Sequence, residues 1–243
     1  MLGYKKVPSC QNVSTETWLV PMNILLVLAH PEPRSFNGAM FQHAQKLLGA
    51  AGHEIRTSEL YTMKFDPVSD RHNFTSVKDP DYFKPQVEET FATEINGFAP
   101  DVEQELQKLE WCDLMIWQFP LWWFGLPAIL KGWADRVLAM GRTYGNGRIY
   151  EKGVFQGKQA LLSLTTGGGR EHYEKGGFNG DIHGILRPIQ RGIFEFVGFT
   201  VLSPHIVYGP AHMTCDQREA ALAAYTRRLE SIVKESPYVV GAY

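Results

Sequence analysis

Three short segments carry residue types that could do chemistry. The first, His30–Asn37, reads HPEPRSFN and precedes a helical pattern. A helix start presents free backbone N–H groups and a positive dipole end, which favour an anion. His30, Arg34, Ser35 and Asn37 could add donors to a phosphate or pyrophosphate, although an ordinary capped helix start explains the same residues. The second, Pro120–Gly125, reads PLWWFG. Three adjacent aromatic side chains cannot all enter one core, so at least one must face a pocket or a partner. A flat ring stacked on Trp122, Trp123 or Phe124 would use them; packing on a neighbouring helix is the competing reading for any single one. The third, Thr165–Tyr173, reads TTGGGREHY. Consecutive glycines let the backbone approach a ligand and aim its amides at it, and Thr165 and Thr166 add hydroxyls. Such a loop suits the edge of a conjugated ring that gains charge on reduction, while a plain surface loop is the alternative. Neither a GxGxxG turn nor a P-loop occurs, so the usual glycine-rich nucleotide sites are not indicated.

These segments need a scaffold, and the rest of the chain supplies one. Asn23–Ala29 is a continuous apolar run, as expected for a strand covered on both faces. Ser35 is placed to cap a helix whose stripe is Ala39, Met40, Ala44, Leu47 and Leu48. A second strand is expected over His53–Leu60. Residues 62–98 show no clean period and read as a long functional or surface-packing insertion. Pro100 opens a helix with Val102, Leu106 and Leu109 inward. Leu114–Phe119 is a third strand, and Pro127 opens a helix buried through Ile129, Leu130, Trp133 and Val137. Gln159–Thr165 is a fourth strand. Residues 182–197 read as a helix kinked by Pro188 and Gly192. Thr200–Val207 is a fifth strand, and Thr214–Glu235 a closing helix capped by Thr214 or Asp216. Strands alternating with helices predict an α/β doubly wound parallel sheet of five strands in the flavodoxin-like order 2-1-3-4-5. Ligands of such sheets bind beyond the carboxyl ends of the strands, and all three segments fall there.

Composition excludes other classes. The 243 residues carry a formal net charge of −2, which gives no general attraction to nucleic acid or to an acidic membrane surface. No apolar run approaches the roughly 20 residues of a membrane span. Cys10, Cys112 and Cys215 lack metal-ligand spacing, so no metal site is expected, and a reducing, cytoplasmic location is favoured. Residues 1–21 are polar and mixed, without the apolar core of a secretory signal. They read as a loosely ordered extension before a single domain over 22–243.

AHPEPRSFNGAM, DLMIWQFPLWWFGLPAILKGWADRV, LSLTTGGGREHY and RPIQRGIFEFVGF together resemble the NAD(P)H quinone dehydrogenases, flavoproteins of the DT-diaphorase type. The similarity runs from about Met22 to Glu235, with the blocks in the same order and at compatible spacing. It implies a flavodoxin-like fold, a tightly bound FAD rather than FMN, and a homodimer with active sites at the subunit interface. It also implies two-electron transfer from NAD(P)H to quinones by a ping-pong route. Carried over residue by residue, the flavin contacts fall on His30, Phe36, Asn37, Pro120, Leu121, Trp122, Trp123, Thr165, Thr166, Gly167, Gly168 and Tyr173. Arg218 lies near a further contact in the last helix, and Ser35 joins them from the phosphate reading above. Trp123, Phe124 and Phe196 match walls of the substrate pocket, and Tyr144 matches an aromatic that closes the site from the partner subunit. Where the mammalian-type enzyme has a histidine six residues after its tyrosine, this chain has Asn179, which cannot carry the charge of an imidazolium. A second gating aromatic is replaced by Asn146, and a flavin-contacting Gln by Lys84. The chain ends at Tyr243, like a short bacterial form.

The chemistry would belong to the cofactor, and the protein would orient and tune it. The amides of Gly167 and Gly168 and the hydroxyl of Tyr173 are the candidates to stabilise charge on the reduced ring, with Asn179 orienting Tyr173 or the substrate. Two alternatives remain open at this point. One is a flavin-dependent nitro- or azoreductase; the other is a regulatory flavoprotein subunit of a potassium efflux system.

Overall fold

The structure is a computed structural model that describes residues 21–241; the expectation of an N-terminal extension over 1–21 lies, but for Pro21, outside the described residues. The sheet is built from β1 (Asn23–Leu28), β2 (Glu54–Glu59), β3 (Leu114–Pro120), β4 (Gln159–Thr166), β5 (Thr200–Val201) and β6 (His205–Tyr208). Its order is β2-β1-β3-β4-β5, with β6 also on β4, and every pairing is parallel. The apolar run of β1 divides by the two-residue period of a strand. Leu25 and Val27 enter one buried cluster, while Ile24, Leu26 and Leu28 enter the other. Both faces are therefore covered, by α3 (Pro100–Trp111) and α4 (Ala128–Val137) on one side and by α1 (Phe36–Ala50) and α6 (Cys215–Glu230) on the other.

The expected order holds, but the fifth strand is two pieces. Ala160 of β4 faces Val201 and Ser163 faces His205, so three residues on the outer strand oppose two on β4. One extra residue on one strand is the signature of a bulge, and Pro204, which has no N–H to donate, sits in it.

The stretch 62–98 holds a helix, α2 (Pro85–Ile95). No apolar period announces it because its buried face includes Glu88 and Glu89 beside Ala92. Glu88 accepts the backbone amides of Lys78 (2.7 Å) and Asp79 (3.0 Å). Buried Arg136 of α4 ties the same stretch down. It donates to the Asn73 side chain at 2.6 Å and to the Asp66 carbonyl at 2.8 Å, and pairs with Asp101 at 2.8 Å. The helix expected over 182–197 is α5 (Ile182–Ile189), which contains Pro188 and continues as a π-helical segment, Gln190–Glu195.

Candidate functional site

The carboxyl ends of β1, β3 and β4 open into one cleft of about 700 Å³, within the range of small-ligand sites. Its base is the start of α1. Ser35 caps that helix, its hydroxyl accepting the Gly38 amide at 3.1 Å, and Gly38 lies so close under the Pro33 carbonyl that a β-carbon would overlap it. His30, Arg34, Ser35, Phe36 and Asn37 line this end. His30 Nδ1 accepts the Glu32 amide at 3.0 Å. Burial holds its pKa below the ordinary value, so at neutral pH it offers a neutral N–H. Asn37 is buried and fixed on both sides: it donates to Thr165 Oγ1 at 2.9 Å and accepts from Gln118 Nε2 at 2.8 Å. Polar groups from α1, β3 and β4 thus lock the floor before any ligand arrives.

Pro120, Leu121 and Trp122 from the end of β3 and Thr165, Thr166 and Gly167 from the end of β4 form the walls. Thr166 Oγ1 donates to the Gly168 carbonyl at 2.8 Å. Gly168 lines an adjoining cavity of about 640 Å³ together with Gly167, His172 and His212. Arg218 closes the cleft from α6, its guanidinium braced on the Met213 carbonyl at 2.7 Å. Pro210, Ala211, Glu219 and Leu222 complete this side and were not singled out from sequence. Gly209-Pro210 after the last strand was the signal for Pro210 and Ala211, since the rule that selects the other rim segments selects this one too.

The aromatic segment behaves differently. Trp122 and Gly125 exchange backbone hydrogen bonds at 3.2 and 2.9 Å, and the residues between them have φ of 52° (Trp123) and 57° (Phe124). Two successive left-handed residues define a type I′ turn, whose central positions favour Asn-Gly. Bulky residues there are outliers and cost on the order of 1–3 kcal/mol each. The turn drives Trp123 into solvent, 98% exposed, with Phe124 52% exposed. Neither lines the cleft.

Tyr173 is buried in the core against Tyr208 at 6.0 Å. Asn179 returns beside it, its backbone amide donating to the His172 carbonyl at 2.8 Å. Tyr144 and Phe196 pack on each other at 5.6 Å, with Tyr150 on the far side of Phe196, and neither lines the cleft. Apart from Tyr173 and Asn179, which line neither, the predicted residues form two groups: a cleft with an aromatic turn at its mouth, and a separate aromatic cluster. Among the described residues no cluster suited to a metal ion occurs, and no helix is long and apolar enough to cross a membrane.

The family model described as Flavodoxin-like fold matches residues 22–233. Guinea pig (Cavia porcellus) NAD(P)H dehydrogenase [quinone] 1 is 46% identical over 214 residues, 88% of this chain and 78% of that protein. The chain belongs to the NAD(P)H dehydrogenase (quinone) family. Ribosyldihydronicotinamide dehydrogenase [quinone] of Rattus norvegicus is 45% identical over 88% of this chain and 93% of its own. Among solved structures, a candidate quinone reductase from Klebsiella pneumoniae superposes with a TM-score of 0.86 and 40% identity, covering 89% of this chain and 86% of that one. The family match reaches every segment of the cleft just described.

Proposed function

We propose that the protein is an NAD(P)H:quinone oxidoreductase that uses a bound FAD to pass two electrons from NAD(P)H to quinones. The observation that carries this reading is the cleft itself. It joins a helix N-terminus flanked by His30, Arg34 and Arg218 to a Thr-Thr-Gly loop and an aromatic strand end. The cationic end suits a pyrophosphate, and the loop and strand end suit a flat heteroaromatic ring. The donor set therefore fits a dinucleotide flavin, and the α6 side, with Leu222 and Glu219, gives the second nucleotide half somewhere to lie. This supports FAD over FMN.

When bound, the flavin supplies the acceptance and return of a hydride equivalent. The protein's part is to bind, orient and exclude water. The α1 N-terminus and Arg218 hold the phosphates. Thr165, Thr166 and the amides of Gly167 and Gly168 hold the polar edge of the ring, with the Tyr173 hydroxyl as a further donor that Asn179 helps to orient. One well-aimed donor at developing charge is worth roughly 3 kcal/mol. Trp123 and Phe124 at the mouth, with Tyr144 and Phe196, are the walls for nicotinamide and quinone in turn, which gives ping-pong kinetics.

The split between the two groups supports a homodimer. A second copy laid over the exposed turn would cover Trp123 and Phe124 and bring its own Tyr144 and Phe196 to the cleft. Residues 22–243 are read as one flavin-binding domain. Free thiols at Cys112 and Cys215 support a cytoplasmic location.

The test is stopped-flow reduction of the flavin-loaded protein by NADH, NADPH and reduced nicotinamide riboside, followed by reoxidation with quinones and nitroaromatics. Fast reduction and faster return to quinones than to nitroaromatics is the expected result. A protein that takes up no flavin on reconstitution would sink the reading. Tyr173→Phe should slow reduction about tenfold or more while leaving flavin affinity nearly unchanged, because a donor to developing charge acts mainly in the transition state.

A further inference from the structure

Helix α2 has no task in the function described above, yet one of its faces is committed to the loop that carries Tyr144. Gln86, Glu89 and Thr93 lie three and four residues apart, a spacing that aligns side chains on one helix face. The Glu89 carboxylate accepts the Met140 amide at 2.6 Å. The Thr93 hydroxyl donates to the Glu89 carbonyl at 2.8 Å and reaches the Met140 carbonyl at 3.3 Å. Gln86 Nε2 donates to the Tyr144 hydroxyl at 3.4 Å, and the Gly141 amide donates to the Tyr144 carbonyl at 2.8 Å, which ties Tyr144 to the Met140 end of the loop.

The loop needs such anchors. Gly141, Gly145, Asn146 and Gly147 all have positive φ, 95°, 109°, 54° and 77°, and glycine-rich backbone has the most conformational freedom to lose. Glu89 is only 8% exposed. A buried carboxylate is costly to desolvate unless its oxygens are partnered, and closing one backbone amide would not require a charge. What it secures is the start of the loop that carries Tyr144.

We propose that Glu89 is a positioning residue of the substrate pocket: from α2 it grips the Met140 amide and so holds the loop that carries Tyr144, fixing the Tyr144 ring. The inference rests on the reading of Tyr144 as a pocket wall. Glu89 touches neither ligand and acts through Tyr144. Glutamine at this position retains an acceptor for the amide, whereas alanine retains none.

The experiment compares wild type, Glu89→Ala, Glu89→Gln and Tyr144→Ala as flavin-loaded full chains with 1,4-benzoquinone. Glu89→Ala should raise the KM for quinone and for nicotinamide about tenfold while kcat stays within about threefold, and Glu89→Gln should stay within about threefold of wild type throughout. In the Tyr144→Ala background, Glu89→Ala should add less than about a twofold change, as two residues acting as one unit do. A second readout is independent of turnover: 3-fluorotyrosine placed at position 144 should show a fluorine resonance that moves toward the free amino acid in Glu89→Ala and not in Glu89→Gln. An unmoved resonance, an unchanged quinone KM, or a KM effect that persists in full without the Tyr144 ring would each overturn the proposal. A moved resonance in a protein whose wild type reduces no quinone would leave the brace standing and overturn the proposed function.

Discussion

The floor of the cleft and the aromatic turn at its mouth are built on opposite principles. On the floor, Asn37 is bonded to Thr165 and to Gln118, Ser35 caps α1, and every participating backbone angle is ordinary. The surrounding sheet and helix hold those groups whether or not a ligand is present. At the mouth, Trp123 and Phe124 occupy left-handed conformations that suit neither and project into solvent. Their conformation is unfavourable in the isolated chain, so its benefit must come from what covers them. A binding site can thus be rigid where it must recognise fixed charge and strained where it must meet a flat apolar ligand or a second subunit.

If that contrast is right, variants of the two regions should divide cleanly between stability and function. The largest effects belong to the floor. Gly38→Ala puts a β-carbon into the Pro33 carbonyl and should cost about 3 kcal/mol in urea unfolding together with flavin binding, since overpacking against backbone cannot relax cheaply. A stable, flavin-loaded Gly38→Ala protein would show that the HPEPRS loop is as yielding as the mouth.

Acid should also act on the scaffold rather than on the turn. His205 of β6 lies beside Ser163 of β4, stacks on Tyr225 at 4.5 Å, and is held down to a pKa of about 4, chiefly by burial and then by the charge of Arg228. The unfolded chain takes up this proton near pH 6.5 and the folded chain only near 4. Folding stability should therefore fall as pH drops through that window, by about 3 kcal/mol in all. Urea titrations at pH 7 and 4.5 measure it, and His205→Gln should flatten the difference; an equal slope in the variant would assign the loss elsewhere.

The mouth should respond in the opposite sense. Replacing Trp123-Phe124 by Asn-Gly relieves the turn and should stabilise the protein by about 1–2 kcal/mol, while the quinone KM rises steeply. Loss of stability in this double variant would mean that the two rings pack in a way the exposed turn does not reveal. The smallest effect on folding is expected for Trp123→Ala. At 98% exposure the change should stay within about 0.5 kcal/mol, yet weaken the quinone and, if a second copy covers the ring, the dimer in sedimentation experiments. Wild-type sedimentation and KM would remove Trp123 from both roles.

How much was legible in the sequence follows the range of the interactions involved. The cap at Ser35 and the Pro100 helix start are local and were read correctly; of the two caps offered for the closing helix the structure uses Thr214, with Gln217 completing a capping box that was not read. Helix α2 was not, because Glu88 and Glu89 are buried where a periodic pattern requires apolar residues. The break between β5 and β6 depends on the register against β4, which no local pattern records. Most of the cleft lining was anticipated, because the rim rule needs only strand ends. The α6 side was anticipated only at Arg218, because Glu219 and Leu222 face the cleft through the packing of α6 on α1.

The amino-acid order by itself set the alternation of strands and helices, the both-faces-buried sheet and the three rim segments, since apolar runs, caps and glycines act over a few residues. Folding in three dimensions decided that Trp123 and Phe124 turn outward and that Tyr144 and Phe196 stand apart from the cleft. It also decided that a glutamate on an unannounced helix holds the Tyr144 loop. Those outcomes are fixed by contacts between segments tens of residues apart, and such contacts leave no periodic trace in the chain.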